Sequence, residues 1–547
     1  MPSIVSSHTS PLARSLTIAI ALSAGLIVWS AGCDDQHAER EETAAAYCDS
    51  LDDLAASVDA ALGLAEWAVW LGEDLDTLTA ARASVSATLI AGDALAKTDD
   101  ASSMAQDSAT FRRLALARHW ALAQAIECDT ALGRLADSLR ALVVTAPRNG
   151  AQDFRIDDTL NSARFRRQAF FSAYALGRSL NEWTERFIRL LNQRSQAQGY
   201  GSYLALQLDA ADVQGEFVSA AIRELDSLTR LEYRVTLDSL RTRYAQRQLA
   251  AADVHFYANH GTETIQRILA TVTKRSCVNG ITEAYRKFGV TLEAFPLYLD
   301  SMDARGAILR PPLVLIHTPH DVRLPVGSLD RPADLTFATD LACRIGEGVA
   351  LTRSQPLRYL TRRHPSALWS SALGMCLSEL AFARGSLPTV ARVRPDQWGV
   401  AHRWLQERRV INLRLSLVDA AFEREIYENP HRNMTQVYQQ IYRDIMLVEP
   451  PEDFSRWSEL FWGAGPGRCR FHTVVGEFIV AQILARGRRD YEESRDSREY
   501  VEFFFATYCA PGSTAPWTDL LLAGTGERLN SQYLYAQLRP LVTVGAE

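Results

Sequence analysis

The chain has 547 residues, 47% hydrophobic and 22% charged, with a formal net charge of −7. That is globular composition, long enough to bury a large core in one or more domains. No block of like charges exceeds a few residues, so nothing resembles the clustered basic face of a nucleic-acid binder; Lys97, Lys274 and Lys287 are the only lysines, and arginine supplies the other cations.

The chain opens like a targeting segment. Arg14 is the lone charge ahead of a short apolar run from Leu16 to Trp29, and Ser30-Ala31-Gly32-Cys33 closes it. The run suits a signal peptide better than a spanning helix. Its small-small-Cys ending resembles a bacterial lipobox. Residues 1–33 are therefore expected to be a signal peptide, with Cys33 lipidated and anchoring the protein to the cell envelope. Ser30 departs from the aliphatic residue usual there, so an ordinary cleaved signal or an uncleaved anchor is the alternative. No later segment reads as long and apolar enough to cross a membrane. Seven further cysteines remain, and Cys48 with Cys128 is the first candidate disulfide, against unpaired buried thiols.

Residues 34–42 are polar and read as a tether. From Thr43 to Val144, apolar residues recur at helical spacing, as in Leu51, Leu54, Ala55, Val58, Leu62 and Ala65. Breaks are expected near Gly72, Gly92 and Asp99-Asp100. This makes 34–150 an N-terminal helical module, ending at the turn signal Pro147 to Gly150. No proline occurs from Arg148 to Phe295, which favours long helices over 153–198, 209–248 and 259–274. The aromatic set Phe165, Phe170, Phe171, Tyr174 and Trp183, with Leu176, reads as core.

Prolines then crowd the chain. The apolar runs 313–316 and 322–326 predict a small sheet near 310–330. Helices follow at about 334–351, with Gly346 and Gly348 weakening its final turns, and at 366–383. Further helices are expected at 404–427, 434–446 and 471–485, and Trp462 to Gly467 reads as a loop.

Three segments together resemble the helical zinc-peptidase superfamily that includes angiotensin-converting enzyme, the neurolysin-type oligopeptidases and oligoendopeptidase F. One runs from Leu191 to Leu208 and contains Gly199-Tyr200 and Tyr203. A second is Gly512-Ser513-Thr514-Ala515-Pro516-Trp517, followed by Thr525-Gly526 and Asn530. The third lies between Asp321 and Leu380. The resemblance covers 151–547. It implies a mainly α, elongated multi-helix fold with a deep central channel and a small sheet.

The resemblance also implies a zinc site on two helices. His-Glu-x-x-His puts two imidazoles on one helix face, and the second helix supplies a third, glutamate ligand. The intervening glutamate serves the zinc-bound water, and a later tyrosine or histidine stabilises the oxyanion. Here the first helix has two registers. One places Thr339, Asp340 and Cys343 at the motif positions, and the other places Asp340, Leu341 and Arg344 there. Neither supplies a histidine pair. On the second helix Ser370 and Ser371 stand where His-Glu would be, and no Asp or Glu occurs from Gly348 to Ser378. Phe471 falls at the oxyanion tyrosine position without a hydroxyl, with His472 as a weak substitute.

The expected function is a catalytically inactive metallopeptidase-like lipoprotein without zinc, binding a peptide or a protein partner in its channel. Two alternatives stand. A divergent hydrolase could use relocated ligands among His317, His320, Cys343 and Glu347. A structural envelope lipoprotein would act only through its surface.

Overall fold

The computed structural model describes residues 36–145, 162–174, 177–301, 313–333, 335–354, 357–362, 367–383, 393–452, 454–458, 469–491 and 497–538. Cys33, the Pro147–Gly150 turn and the loop at 462–467 lie outside the described residues. Within them the chain forms 21 helices and one three-stranded sheet, so the mainly α reading holds.

Five helices come first: α1 (Gln36–Leu71), α2 (Leu75–Ala91), α3 (Ala94–Met104), α4 (Ser108–Glu127) and α5 (Thr130–Thr145). The expected tether is corrected here, because α1 begins at Gln36. Its first turns hold Ala, Glu and Arg with no glycine or proline. Glu41 also accepts the backbone N–H of Gln106 and Asp107, at 2.6 and 3.1 Å. The predicted ends at Gly72 and Gly92 hold, and Gly72 takes φ 111°. The break expected at Asp99-Asp100 does not exist, since both lie inside α3. The chain turns at 105–107 instead, where Asp107 caps α4 through the Thr110 N–H.

By length and mean hydropathy (1.4), Ala38–Leu71 could cross a membrane, contrary to the sequence reading, yet half of its most apolar stretch is buried in the protein. Trp67 and Trp70 pack on Val314 and Ile316. Burying a large apolar side chain contributes roughly 1.5–3 kcal/mol. Gly63 permits this approach, because a Cβ there would lie 2.6 Å from the Leu315 carbonyl oxygen. The Cys48–Cys128 pairing is also corrected. All seven described cysteines are free thiols, and these two sit in different apolar clusters.

The middle of the chain forms α6 (Ala163–Ala173), α7 (Gly177–Gln196), α8 (Tyr203–Ala210), α9 (Gly215–Tyr244), α10 (Ala251–His260), α11 (Glu263–Leu269) and α12 (Lys274–Lys287). The helices predicted over 209–248 and 259–274 are thus shorter than expected, at 215–244 and 263–269, while residues 153–161 and 175–176 of the first prediction lie outside the described residues. Caps do what proline would: Ser202, Thr262 and Thr273 accept from the N–H groups of Ala205, Ile265 and Ser276. Phe170 is buried against Tyr174, His255 and Phe454. Phe171 and Trp183 are not core, being 53% and 37% exposed.

The sheet contains β1 (Leu297–Asp300), β2 (Val314–His317) and β3 (Asp321–Pro325), in the order β1-β3-β2. β3 pairs parallel with β1 and antiparallel with β2. The sequence reading missed β1, a four-residue strand directly after a proline. Then come α13 (Leu335–Thr352), the short α14 (Tyr359–Arg362), α15 (Ala367–Ala383), α16 (Trp398–Glu428), α17 (Met434–Met446), α18 (Phe471–Tyr491), α19 (Ser497–Phe504), α20 (Trp517–Thr525) and α21 (Gln532–Leu538). A π turn, Phe505–Cys509, follows α19.

Three aspartates on α1 hold the connection between α13 and α15. Asp59 accepts from the Tyr359 hydroxyl at 2.7 Å, Asp52 from the Leu360 N–H at 2.7 Å, and Asp49 from Arg358 at 2.9 Å. Arg112 of α4 forms a two-pronged pair with Asp212 and donates to the Ser513 carbonyl.

Candidate functional site

The helix pair α13 and α15 carries the positions singled out in the sequence. The two helices cross at glycines. A Cβ at Gly374 would lie 2.5 Å from the Cys343 carbonyl oxygen, and one at Gly346 would lie 2.7 Å from that of Gly374. Gly346 and Gly348 do not weaken α13, which continues to Thr352. Their role is close approach: Gly348 also leaves room for the Leu297 side chain. Tyr285 of α12 closes the crossing by donating to the Ala342 carbonyl at 3.0 Å.

Asp340, Cys343, Arg344 and Glu347 share one face of α13, at spacings of three and four. Asp340 forms an ion pair with Arg344 at 2.9 Å. Cys343 stands next to the crossing, and burial pushes its thiol up to about 12, only partly countered by Ser378. Glu347 is buried and accepts from the Ser370 hydroxyl at 3.1 Å. Thr339 is exposed and returns its hydroxyl to the Leu335 carbonyl, 2.8 Å away. Ser371 is half-buried on α15.

Helix α18 lies against α15, where a Cβ at Gly476 would meet Met375 at 2.9 Å. Phe471 and His472 begin α18, both buried, with ring centroids 4.4 Å apart. The group that organises this helix start escaped sequence reading. Glu423 of α16 accepts from the Arg470 N–H at 2.7 Å and the Phe471 N–H at 3.3 Å. A carboxylate facing a helix N-terminus is favourable, but burial dominates and pushes Glu423 up to about 7. Arg470 opposes that rise and Asp419 adds to it. On α18 itself, Glu477 pairs with Arg409 at 3.4 Å, and burial raises its carboxyl too, with Glu379 adding to the rise.

Glu423 gives a pH prediction. The folded chain keeps that proton to about pH 7, whereas an ordinary glutamate releases it near 4.5. Between those values the folded state binds more protons than the unfolded one, so stability falls as pH rises. Glu423→Gln is expected to flatten that decline while keeping a carbonyl acceptor. Urea midpoints of both proteins at pH 5 and pH 8 check it. Equal declines in the two would contradict the assignment.

A zinc ion does not fit this donor set. Thr339 is outward, Asp340 is engaged by a permanent cation, and Ser371 is no carboxylate, which leaves Cys343 as the one soft donor among these positions. The relocated set is not assembled either. His317 ends β2 and His320 lies in the turn to β3, with their rings 5.8 Å apart, and among the described residues no group of three or more His, Cys, Asp or Glu is placed to share a metal.

No family model matches the chain, and no curated protein does. Solved structures do match. One, described as "PZ peptidase A with inhibitor 2", aligns over 97% of this chain and 96% of its own, with a TM-score of 0.65 and 11% identity. At that identity the likeness shows the fold alone. The chain has a mainly α, metallopeptidase-like fold.

Proposed function

We propose that this chain is a peptidase-like protein without zinc-dependent hydrolysis, which uses the scaffold to hold a peptide or a protein partner. The observation that carries this reading is the state of the helix pair. Asp340 is tied to Arg344, Glu347 to Ser370, and Cys343 lies against the glycine crossing. Side chains that a metal site would leave as ligands are here engaged in packing and internal pairing. A catalytic zinc brings its water's pKa from 15.7 to about 7, and no side chain of the pair reproduces that effect. The likeness to a peptidase in overall fold supports the scaffold half of the reading. Lipidation at Cys33 would place the protein at the envelope membrane.

Zinc content and peptide cleavage of the purified full chain test this together. The expected result is far less than one zinc per chain and no cleavage that a chelator abolishes. Stoichiometric zinc with chelator-sensitive cleavage would overturn the proposal.

A further inference from the structure

The sequence His317-Thr318-Pro319-His320 joins β2 to β3. His317 ends β2 opposite Asp321, and the His320 N–H donates back to the His317 carbonyl at 2.5 Å. Thr318 and Pro319 are buried, while both histidines are exposed. The Thr318 carbonyl accepts from Arg362 at 3.0 Å, which ties the turn to α14. A short turn with its middle packed inward thus carries two imidazoles at the surface, their ring centroids 5.8 Å apart.

A metal–imidazole bond of about 2 Å places an ion about 3 Å from the ring centre, so these rings need only a small rotation to share one ion. The neighbouring carboxylate does not join them. Asp321 is held by Arg323 through two hydrogen bonds, at 2.9 and 2.8 Å, and the guanidinium lies over the Trp67 ring. That pair carries no net charge, so it adds no donor and repels a cation little. Two imidazoles with water in the other positions suit a tetragonal ion, and copper(II) heads the divalent series for nitrogen donors. Zinc sites take three or four protein ligands, and among the described residues no such group forms here.

We propose that His317 and His320 chelate one copper(II) ion at this surface turn, through one ring nitrogen each. Water completes the plane, which leaves the ion open to a further ligand. The site uses no residue of the α13–α15 pair. Imidazole ligates only when neutral, so mild acid releases the ion.

The test is calorimetric titration of the purified full chain with copper(II), beside electron paramagnetic resonance of the loaded protein. One ion per chain and a tetragonal spectrum with nitrogen coordination are expected. His317→Ala and His320→Ala are each expected to weaken binding about tenfold or more, because the second imidazole adds within the same molecule. Both variants keep the fold, since neither side chain is buried, and the metal-free thermal midpoint checks this. His431→Ala removes an exposed histidine elsewhere and is expected to change nothing. Binding that survives either substitution in the turn, or falls equally with His431→Ala, would overturn the proposal and show adventitious copper only. Zinc content read on the same variants keeps the two questions apart: an ion held at this turn disappears with His317→Ala, whereas a catalytic zinc would remain.

Discussion

Replacing Gly374 by alanine is expected to destabilise the protein by about 3 kcal/mol. The added methyl would lie 2.5 Å from the Cys343 carbonyl oxygen and 2.9 Å from the Glu347 nitrogen. Both are backbone atoms of α13, so no side chain can swing aside. The helices must separate, which loosens packing around the Glu347–Ser370 contact. Gly133 is the control. It is also helical, but an added Cβ there meets nothing within 4 Å. Gly133→Ala is expected to be neutral or stabilising by up to about 1 kcal/mol, because alanine is the better helix former. Denaturant midpoints of the two variants check the contrast. Similar midpoints would show that the crossing is not as tight as described.

The second large effect is expected at Asp59. Its carboxyl is buried and accepts from Tyr359 at 2.7 Å and from Trp120 and Gln124 at 3.3 Å each. Alanine would strip the acceptor from three groups inside the protein. Each buried orphan costs about 1–3 kcal/mol, so a total loss of about 3–5 kcal/mol is expected after relaxation. Asp49, on the same helix, pairs with Arg113 and Arg358 but keeps 43% of its side chain exposed. Solvent screens such pairs, and Asp49→Ala is expected to cost less than about 1 kcal/mol. Measuring both by urea unfolding separates burial from charge count. If Asp49→Ala proved the more damaging, the clamp of α1 on Tyr359 would not be the main bond between these parts.

Sequence reading located most elements because its signals are local. The helix over Met434–Met446 was predicted to the residue, and α13 and α15 to within one residue at each end. Apolar periodicity and caps act over a few residues, so they survive without a tertiary context. The errors came where a local signal was outweighed. Gly346 and Gly348 looked like weak points and proved to be contact points. Asp99 and Asp100 looked like a break, yet both sit inside α3. Cys48 and Cys128 looked pairable from module and composition alone, but they belong to separate clusters.

For the candidate site, the sequence by itself determined what could not be there. No histidine pair stands on α13, and no acid stands on the first turns of α15, whatever the register. It could not determine what those helices do instead. The Ser370–Glu347 bond joins residues 23 apart, and the Asp59–Tyr359 bond joins residues 300 apart. Such partners are selected by how closely helices can approach, which depends on glycines and side chains from several elements at once. Only the tertiary structure therefore decided that the pair is closed by packing and clamped by α1.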